Sequence, residues 1–259
     1  MITKIMQIIR DASEIMNTNH FEIKQKGNNS NLVTSVDLQV QQYLIHHLLS
    51  LLPGSNVIGE EDSKIITENE YTWIIDPIDG TSNFVRDIGF SAISVGLLKN
   101  SKPYIGVIYS PYRDEMFWAE SGKGAFLNNQ PLSVSDRDFT HSHLCSAMSL
   151  YDKSLSKHCF NIIEKIYADS DDLRRFGSAS LELAYLAAGR IELYFEIRVF
   201  SWDIAAAAII IQEAGGHMEY LFHDSMPLNT PFGFIAANSE KNLQKLHDIV
   251  YEEISCKPY

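Results

Sequence analysis

The sequence predicts an α+β or layered α/β protein, and three observations predict it. The chain opens on apolar stripes at helical spacing. Between residues 71 and 134 it turns into short β-rich runs separated by turn clusters, and beyond Leu144 strands and helices alternate. No long Pro/Ser/Gly linker, repeat or biased tract divides the 259 residues, so they read as a single domain, 1–259. A subdomain boundary is expected near 135–145, dividing 1–140 from 141–259.

Ile5, Ile8, Ile9, Ala12, Ile15 and Met16 form one apolar stripe, so the first element is an amphipathic helix. Residues 20–31 are polar and end in Gly27-Asn28-Asn29-Ser30-Asn31, which reads as a mobile loop or hairpin turn. A second helix begins near Asp37, turns Val40, Tyr43, Leu44, His47, Leu48 and Leu51 inward, and stops by Pro53-Gly54. Strands are expected at 71–75, 92–97, 104–109 and 115–119. The clusters Asn100-Ser101-Lys102-Pro103 and Ser110-Pro111-Tyr112-Arg113-Asp114 make them an antiparallel meander. Further helices cover about 153–167, 179–188, 203–214 and 240–254.

Composition narrows the function. Acidic side chains number 33 against 21 basic ones, a formal charge of −12, which argues against a general nucleic-acid binder. Phosphorylated small molecules remain compatible, provided metal ions or backbone amides neutralise them. Hydrophobic residues at 45% and charged residues at 21% exclude wholesale disorder. Cys145, Cys159 and Cys256 have no CxxC spacing and suggest neither a disulfide framework nor a thiolate zinc site. The longest apolar run, residues 204–211, is far short of the ~20 residues of a membrane span, and the N-terminus lacks a signal-peptide pattern. The expectation is a soluble, cytoplasmic protein with no membrane partner.

The chemistry is written first in Trp73-Ile74-Ile75-Asp76-Pro77-Ile78-Asp79-Gly80-Thr81. A buried strand delivers Asp76 to its end, and Pro77 suits the second position of a type I turn. Such a turn lets the carboxylates of Asp76 and Asp79 converge with the Ile78 carbonyl. These are hard oxygen ligands, suited to Mg²⁺ rather than zinc. Gly80 lets a ligand approach the backbone, and Thr81 offers a hydroxyl. On its own the motif is also what an ordinary strand-ending turn looks like.

Other acids add to it. Asn56-Val57-Ile58 leads to Gly59-Glu60-Glu61-Asp62, which in isolation reads as a solvated loop. Asp203 opens an Ala-rich apolar helix ending at Gly215-Gly216, and Asp37 opens the second helix; alone, each reads as an N-cap. Arg175-Phe176-Gly177-Ser178-Ala179-Ser180 starts a helix with small residues, either an ordinary capped start or a set of N–H groups able to hold a phosphate.

Together, WIIDPIDGTSNF (residues 73–84) and WDIAAAAIIIQEAGG (residues 202–216), with GEE upstream and GSAS between them, resemble the inositol monophosphatase family. The family's members are Mg²⁺-dependent, lithium-inhibited phosphatases, and the resemblance runs over nearly the whole chain. It implies the layered α-β-α-β-α sugar-phosphatase fold shared with fructose-1,6-bisphosphatase, in a homodimer. It also implies that Glu60, Asp76, Asp79, Asp203 and the Ile78 carbonyl hold two or three Mg²⁺, with Glu61 close by. Thr81, hydrogen-bonded to Asp37, would orient or deprotonate the attacking water with help from Glu60. Amides of Gly80 and Thr81 would cradle the phosphate. Substrate contacts would come from Asp79, Asp203, Gly177, Ser178, Ala179 and Glu196, the last binding sugar hydroxyls. Lys26 matches the lysine of the family's mobile loop, with a plain surface lysine the competing account.

Two departures bear on substrate. Arg198 stands where animal members carry a small residue, and with Arg174 and Arg175 it would favour a second phosphate. Ser178 replaces the commoner Thr, and no site residue is carried over from 145–158. The implied activity is hydrolysis of inositol monophosphate or a similar polyol phosphate. NADP(H), fructose-1,6-bisphosphate and 3′-phosphoadenosine 5′-phosphate are the alternative substrates. A non-catalytic metal-binding regulatory protein is the competing class, and a nucleic-acid module lacks a basic stripe.

Overall fold

A computed structural model describes residues 1–18, 20–26, 32–61, 69–148 and 152–254. The opening stripe forms α1 (Ile2–Ser13), prolonged by a 3-10 turn at Glu14–Met16. Strands β1 (Ile23–Gln25) and β2 (Leu32–Thr34) then pair antiparallel, Ile23 opposite Thr34. The stretch 27–31, expected as a mobile loop or hairpin turn, lies outside the described residues. Next comes α2 (Ser35–Leu51), which buries Val40, Leu44 and Leu48 and leaves Tyr43, His47 and Leu51 half-buried.

Seven strands follow: β3 (Asn56–Gly59), β4 (Tyr71–Asp79), β5 (Ala92–Lys99), β6 (Lys102–Ser110), β7 (Glu115–Glu120), β8 (Ala125–Leu127) and β9 (Gln130–Leu132). They form one sheet in sequence order, parallel at β3–β4 and antiparallel elsewhere, so the expected meander is present and two strands longer. A short helix, α3 (Thr81–Val85), leaves the end of β4.

The second half alternates as expected: β10 (His143–Ala147), α4 (Ser156–Asp169), β11 (Asp172–Arg174), α5 (Ala179–Ala187), β12 (Leu193–Val199), α6 (Ser201–Glu213), β13 (His217–Leu221), β14 (Phe232–Ala237) and α7 (Glu240–Ile254). Its sheet runs β11-β10-β12-β14-β13, with β10 parallel to both of its neighbours. The helix expected from residue 153 begins with a 3-10 turn, Lys153–Leu155.

The apolar faces stack these elements into five layers. Ile5 and Ile9 of α1 and Val40, Leu44 and Leu48 of α2 pack on Trp73, Ile75, Val95 and Val107, one face of the larger sheet. Between the two sheets lie α5 and α6, packed on Ile74, Ile108 and Phe117 from one side and Tyr194, Phe234 and Ala236 from the other. Outside the smaller sheet, α4 and α7 cover Leu144, Leu193, Phe195 and Ile235. The order α-β-α-β-α follows, and each fully buried Ile or Leu contributes about 1.5–3 kcal/mol. Because α6 is sandwiched, it is apolar all round rather than striped, and Ile204 to Ile211 are buried throughout.

The sandwich is tight. A Cβ built on Gly106 would lie 2.1 Å from the Ala206 carbonyl, and one on Gly96 would lie 2.8 Å from the Ala205 Cβ. Only glycine in the sheet and alanine on the helix allow this approach. The helix start that carries Asp203 is thereby fixed against the sheet that carries Asp76 and Asp79. No helix among the described residues is long and apolar enough to cross a membrane, and Cys145 and Cys159 are buried.

Candidate metal centre and active site

Asp76 and Asp79 are three residues apart on β4, so plain alternation would put them on opposite faces of the sheet. The register against β5 passes from Asp76 opposite Ser94 to Asp79 opposite Ala92, a one-residue bulge. The extra residue restores a common side, and Pro77 sits where the ladder is interrupted. The expected type I turn is therefore a bulge within a continuous strand, with the same convergence of carboxylates. Asp76 Oδ1 steadies it by accepting the Ile78 N–H at 3.0 Å.

Asp203 arrives from α6. It is the third residue of that helix rather than its N-cap, and its Oδ2 accepts the Phe200 N–H at 2.7 Å. Carboxylate oxygens of Asp76, Asp79 and Asp203 all lie within 4.8 Å of one another. Asp37 is likewise the third residue of α2. Its Oδ2 accepts the Thr34 N–H at 2.8 Å, while Thr34 Oγ1 accepts from Val36 at 3.2 Å and Asp37 at 3.3 Å. Both N-cap expectations are thus corrected by three positions. The shift matters, because each Asp spends one oxygen on its helix and keeps the other for the site.

Thr81, the first residue of α3, places its hydroxyl 3.1 Å from Asp37 Oδ1 and 3.0 Å from the Ile78 carbonyl. Asp79 meets the start of α5. Its Oδ2 accepts from Ser178 Oγ at 2.6 Å, Ser180 N–H at 2.7 Å and Ser180 Oγ at 2.5 Å; its Oδ1 accepts the Ala179 N–H at 3.3 Å. Those helix N–H groups, one reading of which was a phosphate cradle, are already used by Asp79. On the inner wall Tyr194 donates to Glu196 Oε2 at 2.7 Å.

At the rim, Lys26 Nζ bridges Glu60 Oε1 at 3.2 Å and Glu61 Oε1 at 2.5 Å. Burial would lower its pKa, but the two carboxylates outweigh burial and raise it.

A cavity of about 90 Å³ gathers these groups. Glu60, Asp76, Ile78, Asp79, Gly80, Thr81, Gly177, Ser178, Ala179, Glu196 and Asp203 line it, and Asp37 stands behind Thr81. Arg198 is not among the lining residues. The register of β12 against β14 slips between Glu196 and Val199, so Arg198 does not follow Glu196 onto its face, and its guanidinium lies 3.5 Å from Asp152. Arg174 is held by Asp172, and Arg175 is the arginine that reaches the cavity. Lining residues that the sequence did not single out are Leu32, Ser82, Ala147 and Glu182.

The electrostatics ask for cations. Burial, then the charges of Glu60, Asp79 and Asp203, hold Asp76 well above the usual carboxylate range. Burial and Asp79 do the same to Asp203. Burial raises Asp79 and Asp37 less, because hydroxyl and N–H donors oppose it. Burial pushes Glu60 up to about 7 and Glu196 up to about 8. Clustered, desolvated carboxylates, offset only in part by Arg175 and Lys26, are unfavourable as bare charges and fit a hard divalent cation such as Mg²⁺.

The comparisons agree with this architecture. A model of the inositol monophosphatase family matches residues 1–255. Inositol monophosphatase 1 of Bos taurus is 37% identical over 218 residues, 81% of this chain and 77% of that protein. Nus factor SuhB of Salmonella typhimurium strain LT2 is 35% identical over 223 residues, 83% of each. The crystal structure of extragenic suppressor protein suhB from Bartonella henselae superimposes with a TM-score of 0.88 at 29% identity, covering 98% of this chain and 99% of that one. Sequence motifs, layering and family model converge: the chain belongs to the inositol monophosphatase family.

Proposed function

We propose that this protein hydrolyses a phosphate monoester, most readily inositol monophosphate or a similar polyol phosphate. The observation that carries the proposal is the convergence of Asp76, Asp79 and Asp203 beside the Thr81–Asp37 pair. Asp76, Asp79, Asp203, Glu60 and the Ile78 carbonyl are the residues that would hold Mg²⁺, two or three per site. When bound, Mg²⁺ supplies positive charge for the phosphate and the leaving oxygen and lowers the pKa of a water.

The chain's own groups do the rest. The Thr81 hydroxyl has one proton, and donating it to Asp37 leaves its lone pairs to accept from a water. Asp37, raised by burial, is the better base for it. Asp79 is held on Oδ2 by three donors, while Oδ1 has the longer Ala179 N–H contact at 3.3 Å and is the oxygen left to serve the cavity. Glu196, held by Tyr194 on one oxygen, offers the other to the hydroxyls of a leaving group. With Arg198 turned to Asp152, a second phosphate has Arg175 alone among the lining residues to meet it, which favours a monophosphate. NADP(H), fructose-1,6-bisphosphate and 3′-phosphoadenosine 5′-phosphate therefore rank behind a polyol monophosphate.

Lithium inhibition, a homodimer and a cytoplasmic setting belong to the same proposal, as does a single domain with its division near 135–145. A regulatory, non-catalytic role is the second proposal, and it draws support from relatives named Nus factor SuhB. Phosphate release from metal-stripped protein, with and without Mg²⁺, separates the two. The panel holds inositol 1-phosphate, fructose-1,6-bisphosphate, NADP⁺ and 3′-phosphoadenosine 5′-phosphate, with Asp79→Asn as the control. Mg²⁺-dependent release that the variant loses supports catalysis, and the substrate with the highest kcat/KM names the class. No release from any compound puts the regulatory role first.

A further inference from the structure

Glu182 has no part in the roles above, yet it lies in the wall of the same cavity and is completely buried. Its Oε1 accepts the N–H groups of Phe176 at 2.6 Å and Gly177 at 2.8 Å. Its Oε2 is buried with no hydrogen-bond partner among the described residues. A carboxylate in that setting is costly, so the two bonds on Oε1 must matter to the folded protein.

The same peptide is gripped from the opposite side. Asn83, in α3, donates through Nδ2 to the Phe176 carbonyl at 2.7 Å and to the Phe90 carbonyl at 2.8 Å. Gly177 takes a left-handed φ of +87°, and a Cβ added to Gly80 would lie 3.0 Å from the Gly177 carbonyl. The turn before α5 is therefore pressed onto the turn after β4. The next residues along, Ser178, Ala179 and Ser180, are the ones that donate to Asp79.

We propose that Glu182 is a positioning residue for Asp79. Glu182 and Asn83 clamp the 176–177 peptide, and the clamp presents Ser178 and Ser180 to Asp79 Oδ2 so that Oδ1 stays turned to the metal side. The segment that faces the leaving group and the segment that holds a metal ligand are then one piece. Binding at either end is felt at the other, by the same factor in both directions. The device works through acceptor geometry, so the amide oxygen of glutamine serves as well as a carboxylate. The proposal rests on the phosphatase assignment only where turnover is read, and its metal-binding arm stands without it.

The test is a calorimetric Mg²⁺ titration of the full chain, paired with kcat and KM, for wild type, Glu182→Gln, Glu182→Leu, Asn83→Ala and the Glu182→Leu/Asn83→Ala double variant. Glu182→Leu should bind Mg²⁺ ~10- to 100-fold more weakly and lose kcat in similar measure, while Glu182→Gln stays close to wild type. The double variant should lose little more than either single one, since both hold one peptide. A folded Glu182→Leu protein with wild-type Mg²⁺ affinity overturns the proposal, as does a Glu182→Gln protein as impaired as Glu182→Leu. If Glu182→Leu does not fold, Asn83→Ala decides alone: weaker Mg²⁺ binding supports the clamp and unchanged binding overturns it. Absence of phosphate release from the wild type would remove the phosphatase assignment while leaving the titrations to judge the clamp.

Discussion

The starts of α2 and α6 are built alike and used differently. In each, an Asp at the third helical position accepts the N–H of the residue before the helix, Thr34 at 2.8 Å and Phe200 at 2.7 Å. Thr34 returns the favour with its hydroxyl, whereas Phe200 has no side-chain acceptor. The free oxygen of Asp37 then takes the Thr81 hydroxyl, while Asp203 joins Asp76 and Asp79. Burial raises both pKa values, but Thr34 and Thr81 pull Asp37 back, and Asp203 is held well above its usual range. In the proposed mechanism one capping device thus yields a proton-handling group where a hydroxyl faces it and a cation ligand where other carboxylates do.

The largest expected effect separates the two uses. Asp203→Asn keeps an oxygen for the Phe200 N–H but removes a charge, so the fold should persist while turnover falls at least ~10²-fold. Near-normal turnover at saturating Mg²⁺ would erase the distinction. Thr81→Ala should come next: kcat falls by about 10²-fold while Mg²⁺ affinity in a direct titration is retained, since the hydroxyl is tied to proton transfer. Equal loss of metal binding would place Asp37 and Asp203 in one role after all.

A pH series sharpens the contrast. Burial raises Glu60 to about 7, Glu182 to about 7 and Glu196 to about 8, so the folded, metal-free protein keeps protons that the unfolded chain has already lost. Their stabilisation is complete below the ordinary carboxylate range and is lost as pH rises through about 7 to 8. The thermal midpoint of metal-free protein should therefore drop from pH 5 to pH 8, and added Mg²⁺ should raise it most at the alkaline end. A flat metal-free midpoint across that span would count against buried carboxylates as the cause. The smallest effect belongs to Thr34→Ala, which removes the hydroxyl cap that α6 never had; about 1 kcal/mol of stability should go, measured by denaturant unfolding. No loss would show that the Asp at the third position suffices at both helices.

Much of this was legible in the residues. The stripes of α1 and α2, the meander and the acids of WIIDPIDGT are local patterns, and local patterns survive folding. What escaped depends on register or on packing from afar. A bulge between Asp76 and Asp79 looks like a turn when β5 is not in view. Arg198 shares the alternation of Glu196 until the slip against β14 redirects it. Glu182 was not singled out in the sequence, because its burial depends on α5 lying between two sheets, where Ser180 to Ala187 are all buried. Asn83 sat inside the recognised motif with no sign of its reach to Phe176.

The close seating of α6 on Gly96 and Gly106 also bears on the order of assembly during synthesis. The larger sheet is complete by Leu132, and it already carries Asp76 and Asp79. Ser178 and Ser180, which hold Asp79, lie 99 and 101 residues further along the chain, and Asp203 comes later still. A nascent chain that has made only the first sheet presents two neighbouring carboxylates without their organiser or their third member. On the proposed assignment full metal affinity requires α6 seated between the sheets, so ion uptake reports a late long-range step of folding rather than the first.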